Sequence, residues 1–410
     1  MANVTKTYKT EDWKIWTYKP FDDRFVLDFD KLDDVDHPLS ASEGTIEKID
    51  AQIANIRINE GSSIDQGIFS NLTPATMTVE LSVKNFVTDD ARKFFIGSEI
   101  WATHANGATV HNTWNDIGKN SIYFMGRIRS FNVDIQPGED YSSITIVASS
   151  RTEDDVNTLI AIEKDTTSLK RDLITTAAFD QAGISLTATA LDYNFANTIT
   201  ESKSFGEWVA DLNLCNLDVI YDQPYADPSQ PANNTAWRQR IIGKKNFWVS
   251  IYWDFTNDDI IDAQLDYSGA GAPTGVNLTN YANNAIVYQY GSTASNNTGS
   301  FSYNATIDVK DLAQMQTIGQ NMISMTQAFR PIEITTITAT NNQNITYREL
   351  DQLSQSRWFY PVNLVNVNSV NTITFDNLSE TVTCIVTGRT LEITPDNWTT
   401  TYQLWKGFDY

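Results

Sequence analysis

The sequence predicts a mainly β protein with α+β insertions. Two long stretches, one near each end, alternate apolar and polar residues with a period of two, which gives strands with one buried face. Between them, apolar residues recur at three- and four-residue steps, the mark of amphipathic helices. Pro-, Gly- and Asn-rich stretches separate the runs and read as turns and loops.

Residues 1–43 are polar, aromatic and acidic, with Trp13, Trp16, Tyr18 and Phe21 spaced through them. No clean period appears, so this segment is expected to be an N-terminal arm that lays its aromatics on a neighbouring surface. Asp28, Asp30, Asp33, Asp34 and Asp36 do not form a calcium loop: Leu32 and Val35 occupy liganding positions and the central glycine is missing. A solvated acidic segment is the expectation.

Residues 44–150 are expected to form the first β domain. Ile49, Ala51, Ile53, Ile56 and Ile58 open it, and Asn59-Glu60-Gly61 reads as a turn. In the next run Met77, Val79, Leu81 and Val83 face one way, while Thr76, Thr78, Glu80 and Ser82 face the other. A short helix over 88–95 is stopped by Gly97. The runs Phe131–Ile135 and Ile144–Ala148 close the domain. Pro137-Gly138 between them suits a type II turn, since Pro presets the first φ and Gly accepts the positive second one.

Residues 151–280 are expected to form a helical and mixed middle domain. Thr152-Glu153-Asp154-Asp155 reads as a capping box for a helix with Val156, Leu159 and Ile160 on one face. Leu169, Leu173, Ile174, Ala177 and Ala178 describe a second helix, ended near Gly183. Ser204-Phe205-Gly206-Glu207 starts a third, with Trp208, Val209 and Leu212 inward. Stretches 222–236 and 269–275 read as loops.

Residues 281–410 are expected to form the second β domain. Asn284–Tyr288 reads as a strand. Asp308 is expected to cap a helix carrying Leu312, Met315, Ile318, Gly319, Met322 and Met325, with Pro331 beyond its end. The runs Leu364–Val367, Val382–Val386, Leu391–Ile393 and Tyr402–Leu404 complete the sheet.

Composition bounds the function. The chain of 410 residues is 41% hydrophobic and 20% charged, which is globular. Its 51 acidic against 29 basic residues give a net charge of −22, which repels phosphates and argues against sequence-reading nucleic-acid binding. Cys215 and Cys384 are expected to be small buried apolar residues rather than a disulfide or metal pair. The opening Met1–Lys6 has no apolar run, so no secretory signal is expected. No stretch approaches the ~20 apolar residues a bilayer-spanning helix needs.

Little in the chain points to catalysis, and no cofactor or metal is expected. His104 and His111 lie in a Gly-, Asn- and Thr-rich stretch without further ligands and read as exposed loop histidines. No nucleophile-elbow, zinc-peptidase or nucleotide-loop motif is present. The nearest approach to an active site is 247–262, where Trp248 and Trp253 stand beside Asp254 and Asp258. Sugars stack on aromatic rings and their hydrolysis takes two carboxylates, so this is the alternative reading: a carbohydrate- or receptor-binding protein, or a polysaccharide hydrolase. An aromatic strand followed by an acidic turn explains the same residues more simply.

A resemblance then becomes visible. Ser121–Ile128, with Phe124-Met125-Gly126-Arg127-Ile128 at its centre, leads through Asp134 to Ser143–Ser149 and an acidic helix; this resembles the end of the first domain of phage tail hub and minor tail proteins. Val386–Thr401, with Ile393-Thr394-Pro395-Asp396-Asn397-Trp398, is similar to their closing hairpin. The resemblance covers most of residues 44–410. It implies two tail-tube-like β-barrel domains, at 44–150 and 281–410, with smaller domains beside them. It further implies a structural virion protein without enzymatic activity, made in the host cytoplasm. That protein is a homotrimeric baseplate hub at the tail tip whose six barrels close the tail tube around the DNA ejection channel. The expected partners are the distal tail protein ring, the tape-measure protein and a tail fibre or tip protein. DNA carries a charge every ~1.7 Å and would stall on a basic lumen, so an acidic or neutral lining is expected, with Thr78, Glu80 and Ser82 as candidates for it.

Overall fold

The computed structural model describes residues 13–20, 44–61, 63–65, 69–71, 73–84, 96–104, 122–135, 138–150, 152–174, 176–177, 193–216, 219–223, 238–242, 253–255, 260–266, 275–291, 302–326, 333–340, 361–364, 382–395 and 397–406. The first part of the chain is β1 (Trp13–Pro20), β2 (Gly44–Lys48), β3 (Gln52–Gly61), the small hairpin β4 (Ser63–Asp65) and β5 (Phe69–Asn71), β6 (Thr76–Lys84), β7 (Glu99–His104), β8 (Ile122–Ile135) and β9 (Tyr141–Ser149). The middle follows with α1 (Thr152–Val156), β10 (Leu159–Glu163), α2 (Lys170–Ile174), β11 (Thr200–Ser204), α3 (Phe205–Asn216), β12 (Val219–Gln223), β13 (Arg238–Ile242) and β14 (Trp253–Phe255). The last part is β15 (Ile260–Asp266), β16 (Gly275–Asn280), β17 (Val287–Gly291), β18 (Ser302–Ile307), α4 (Leu312–Thr326), β19 (Glu333–Thr340), β20 (Pro361–Leu364), β21 (Val382–Ile393) and β22 (Trp398–Lys406). The protein is mainly β with small helical insertions, as the alternation predicts.

Thirteen strands form one sheet, in the order β15-β19-β22-β21-β3-β6-β9-β8-β7-β1-β2, with β20 on β21 and β14 on β20. Within it a five-strand unit occurs twice. The order β3-β6-β9-β8-β7 is repeated by β15-β19-β22-β21-β20, with the same succession along the chain and antiparallel pairing throughout. Two of the irregularities correspond as well. The β8–β9 ladder skips a residue between Ile128 and Ser130, as β21–β22 does between Val386 and Gly388. The β3–β6 ladder skips one between Ile53 and Asn55, as β15–β19 does between Ile260 and Asp262. Bulges bend a strand and raise its twist, so shared bulges mean shared curvature.

The units share one core. Met77, Val79, Leu81, Ile144 and Ile146 from the first pack in the same cluster as Ile337, Leu391, Ile393 and Tyr402 from the second. A second core joins α3 and α4 to the three-stranded sheet β17-β16-β18 through Cys215, Val276, Leu278, Met315, Ile318 and Met322. A third sits under α3, where Trp208, Val209 and Leu212 meet Ile160, Ile162 and Phe205.

Several expectations change. Trp13–Pro20, read as part of an arm, is a strand held between β2 and β7, and Trp13 and Trp16 are buried. Asn59-Glu60-Gly61 is not a turn: these residues pair with β21, because a strand from the far end of the chain satisfies their backbone. The helix at Thr152 lasts one turn, and Leu159 and Ile160 belong to β10, whose alternation over five residues outweighs the helical spacing. Asn284–Tyr288 is mostly turn, and the strand begins at Val287. Asp311, not Asp308, caps α4, its Oδ1 accepting the Gln314 amide at 3.0 Å. β15, inside the stretch read as the middle domain, holds the place in the second unit that β3 holds in the first. The expectations at 28–36, 88–95, 183, 222–236, 365–367 and His111 lie wholly or mostly outside the described residues. Gly138 has a positive φ (+94°), while Pro137 lies outside the described residues; the third helix stands, α3 beginning with Ser204 and Glu207 hydrogen-bonded to each other's backbone amides.

Candidate functional site

The feature with functional content is the seam where the units meet, β21 against β3. On its outer face a row of short polar side chains crosses five strands. Thr338 and Thr401 hydroxyls lie 3.0 Å apart, Thr401 stands opposite Thr390, Thr390 donates to Asn59 Oδ1 at 2.9 Å, and Asn59 reaches Thr76 at 3.4 Å. One row along, Arg57 faces Glu392 at 3.5 Å, both half exposed. On the inner face Arg389 and Glu60 pair with both side chains buried, Nε and Nη2 at 3.0 and 2.9 Å from Glu60 Oε2. Gly388 makes the approach feasible, since a Cβ there would lie 2.8 Å from the Glu60 carbonyl oxygen.

Beneath the seam the Arg389 guanidinium lies 5.7 Å from the Tyr123 ring. Trp13 packs on Tyr123, His104 and Trp398 with ring centroids 4.7, 5.2 and 5.2 Å away. His104 is therefore fully buried in the core rather than exposed in a loop. Strand β7 puts it there, its apolar neighbours Trp101 and Ala102 being buried too.

The three candidate lining residues share the outer face. In β6, Thr78 stands opposite Arg57 and Val147, Glu80 opposite Asn55 and Thr145, and Ser82 opposite Gln52 and Ser143. Thr78 and Ser82 are half-buried and Glu80 is exposed, while Met77, Val79 and Leu81 between them are buried. Glu80, Glu392, Asp134 and Asp262 lie on this face together with Arg57, Lys84, Arg127 and Arg129, so it carries charges of both signs. Trp253 lies in β14, its backbone opposite Val362 of β20; Trp248 and Asp258 lie outside the described residues. Among the described residues no group of His, Cys, Asp and Glu is arranged to hold a metal ion, and no helix is long and apolar enough to cross a membrane.

A second polar centre, which sequence reading missed, ties the middle elements to α4. Buried Lys164 meets Glu201 at 2.5 Å and Asp308 at 2.8 Å. Buried Lys170 meets Asp211 at 2.8 Å and donates to the Asp308 carbonyl at 2.9 Å and Cys215 Sγ at 3.3 Å. Burial opposes both lysine charges, but the carboxylates prevail and hold both ammonium groups above the ordinary lysine range. Burial pushes the Cys215 thiol up to about 12, with Lys170 opposing, so it is an inert thiol. Asp308 also accepts the Ala196 amide at 2.9 Å, which explains why it does not cap the helix.

No protein-family model and no curated protein sequence matches the chain. Solved structures do. The tail protein from Neisseria meningitidis MC58 aligns with a TM-score of 0.55 at 10% identity, covering 88% of this chain and 93% of its own. The 43 kDa tail protein of prophage MuSo2 from Shewanella oneidensis aligns at 0.53 and 11% identity, covering 89% and 96%. At these identities the likeness shows the fold: this chain has the phage tail-protein fold that the motifs around Gly126 and Trp398 resemble.

Proposed function

We propose that a chain with this fold serves as a structural component of a phage tail, as the trimeric hub at the tail tip that closes the tail tube around the DNA ejection channel. The observation that carries the reading is the five-strand unit repeated within one sheet: three chains supply six such units, so a threefold collar can continue a sixfold tube. Closed cyclic assembly satisfies every interface once. The tube-like units are assigned to 44–150 and 281–410, the latter completed by β15, and the middle elements decorate the outside. The outer face bearing Thr78, Glu80 and Ser82 lines the channel, where its acidic or neutral residues around Glu80 keep DNA sliding. The distal tail ring above, the tape-measure protein within, and a fibre or tip protein complete the assembly in the virion. The role is mechanical, and no residue is assigned to catalysis.

Averaged electron-microscopy images of the purified protein, with its native mass, test this. The expected particle has three chains, six lobes and a central bore wide enough for duplex DNA. A particle without a bore overturns the hub assignment.

A further inference from the structure

The seam inside the chain specifies a seam between chains. β21 has two parts: Val382–Ile385 pairs with β20, while Gly388–Ile393 offers its edge to β3. β8 is built the same way. Its first part, up to Arg127, pairs with β7, and Ile128 still exchanges backbone hydrogen bonds with Gly97 and Ser98. Beyond Ile128 it has one neighbouring strand, β9, among the described residues. β15, the counterpart of β3, also has one neighbour among the described residues, β19. Each chain thus presents one copy of each edge that is joined at its own centre.

We propose that the β8 edge of one copy, Asn132–Ile135, pairs antiparallel with the β15 edge of a second copy, in the register that β21 and β3 use within the chain. The matched bulges fix that register. Ser130 corresponds to Gly388 and Ile135 to Ile393, while Ala263 corresponds to Ile56 and Gln264 to Arg57. Ile393–Ile56 and Glu392–Arg57 within the chain become Ile135–Ala263 and Asp134–Gln264 between copies. The exposures agree. Ile393 is fully buried under β3, whereas Ile135 is 57% exposed and Ala263 is also exposed. An apolar residue at an open strand edge is what neighbouring chains exploit. One charge relation differs: the Arg57–Glu392 attraction is replaced by Asp134 with uncharged Gln264, and Asp262 lies diagonally near. Added salt therefore screens the Asp134–Asp262 repulsion and favours pairing between copies.

The inference rests on the proposed ring, and one experiment separates the two. Ile135→Cys and Ala263→Cys are combined in one chain, oxidised, and read on a non-reducing gel beside native mass. Residues opposite in an antiparallel ladder lie within disulfide reach. The in-register pair is expected to give covalent trimers. The shifted pair Ile135→Cys with Asp262→Cys, which points its thiols to opposite faces, gives few. A trimeric mass without cross-links from the in-register pair overturns the edge assignment and leaves the ring. A cross-linked ladder of another size keeps the edge assignment and overturns the threefold reading. Since both positions are exposed, folding is checked by thermal melting. The single variant Ile135→Asp provides a second reading: it is expected to shift the native mass toward monomer, and an unchanged trimer counts against the pairing.

Discussion

Single residues decide whether the seam holds. Arg389 and Glu60 are 329 positions apart in the chain and both buried. Replacing Glu60 with Ala leaves a buried guanidinium without its counter-charge and is expected to cost about 3–5 kcal/mol. Replacing both with apolar residues of similar volume is expected to cost much less, because no charge is stranded. Denaturant unfolding of the two variants measures the contrast. Gly388→Val would press a side chain on the Glu60 carbonyl and is expected to destabilise by about 1–3 kcal/mol. The exposed Arg57–Glu392 pair on the other face contributes little by comparison. No local pattern announces that Glu60 is buried: in the sequence it stands in Asn-Glu-Gly, which is turn chemistry, and only a strand from the far end makes it core.

At the level of elements, the alternation of β6 and β9 and the helical steps of α4 were read from the sequence because each depends on neighbours within a few residues. The one-turn helix α1 and the capping of α4 were misread for the opposite reason. Asp308 looks like a cap, yet Lys164, 144 positions away, claims its carboxylate. The lysine centre gives the middle elements a defined pH response. The Glu201 carboxyl is opposed by burial, but hydrogen bonds from Lys164 and Tyr281 hold it below the ordinary value of 4.5. A lowered folded value stabilises above the unfolded one and is lost as pH falls through it. The raised lysine values stabilise below 10.5 and are lost as pH rises through them. The melting-temperature gap between wild type and Glu201→Gln is therefore expected to be constant near neutrality and to close below about pH 4.5. Lys170→Met, which strands Asp211, is expected to cost about 3–5 kcal/mol in urea unfolding.

For the whole molecule, the consequence of the repeat is a continuous polar face that belongs to neither unit alone. If it lines the channel, its sign of charge matters more than the identity of any residue. Changing Thr78, Glu80 and Ser82 together to Lys is expected to leave assembly intact and to slow DNA release from particles, more so at low salt. Equal release at all salt concentrations would remove these residues from the lining. The fold class and the closing hairpin around Trp398 were readable, since strand periodicity and turn residues are local. The assignment of β1 and β15 to the sheet was not, because both are edge or outlying strands whose membership depends on a distant partner.

The sequence by itself determined that this protein is built from alternating strands at both ends with helices between, because side-chain direction in a strand follows from backbone geometry alone. The tertiary structure decided that the two ends join edge to edge and that Glu60, His104 and Asp308 are interior. Those outcomes depend on pairings across hundreds of residues, where hydrogen bonds and burial are satisfied by chain segments that carry no mark of each other.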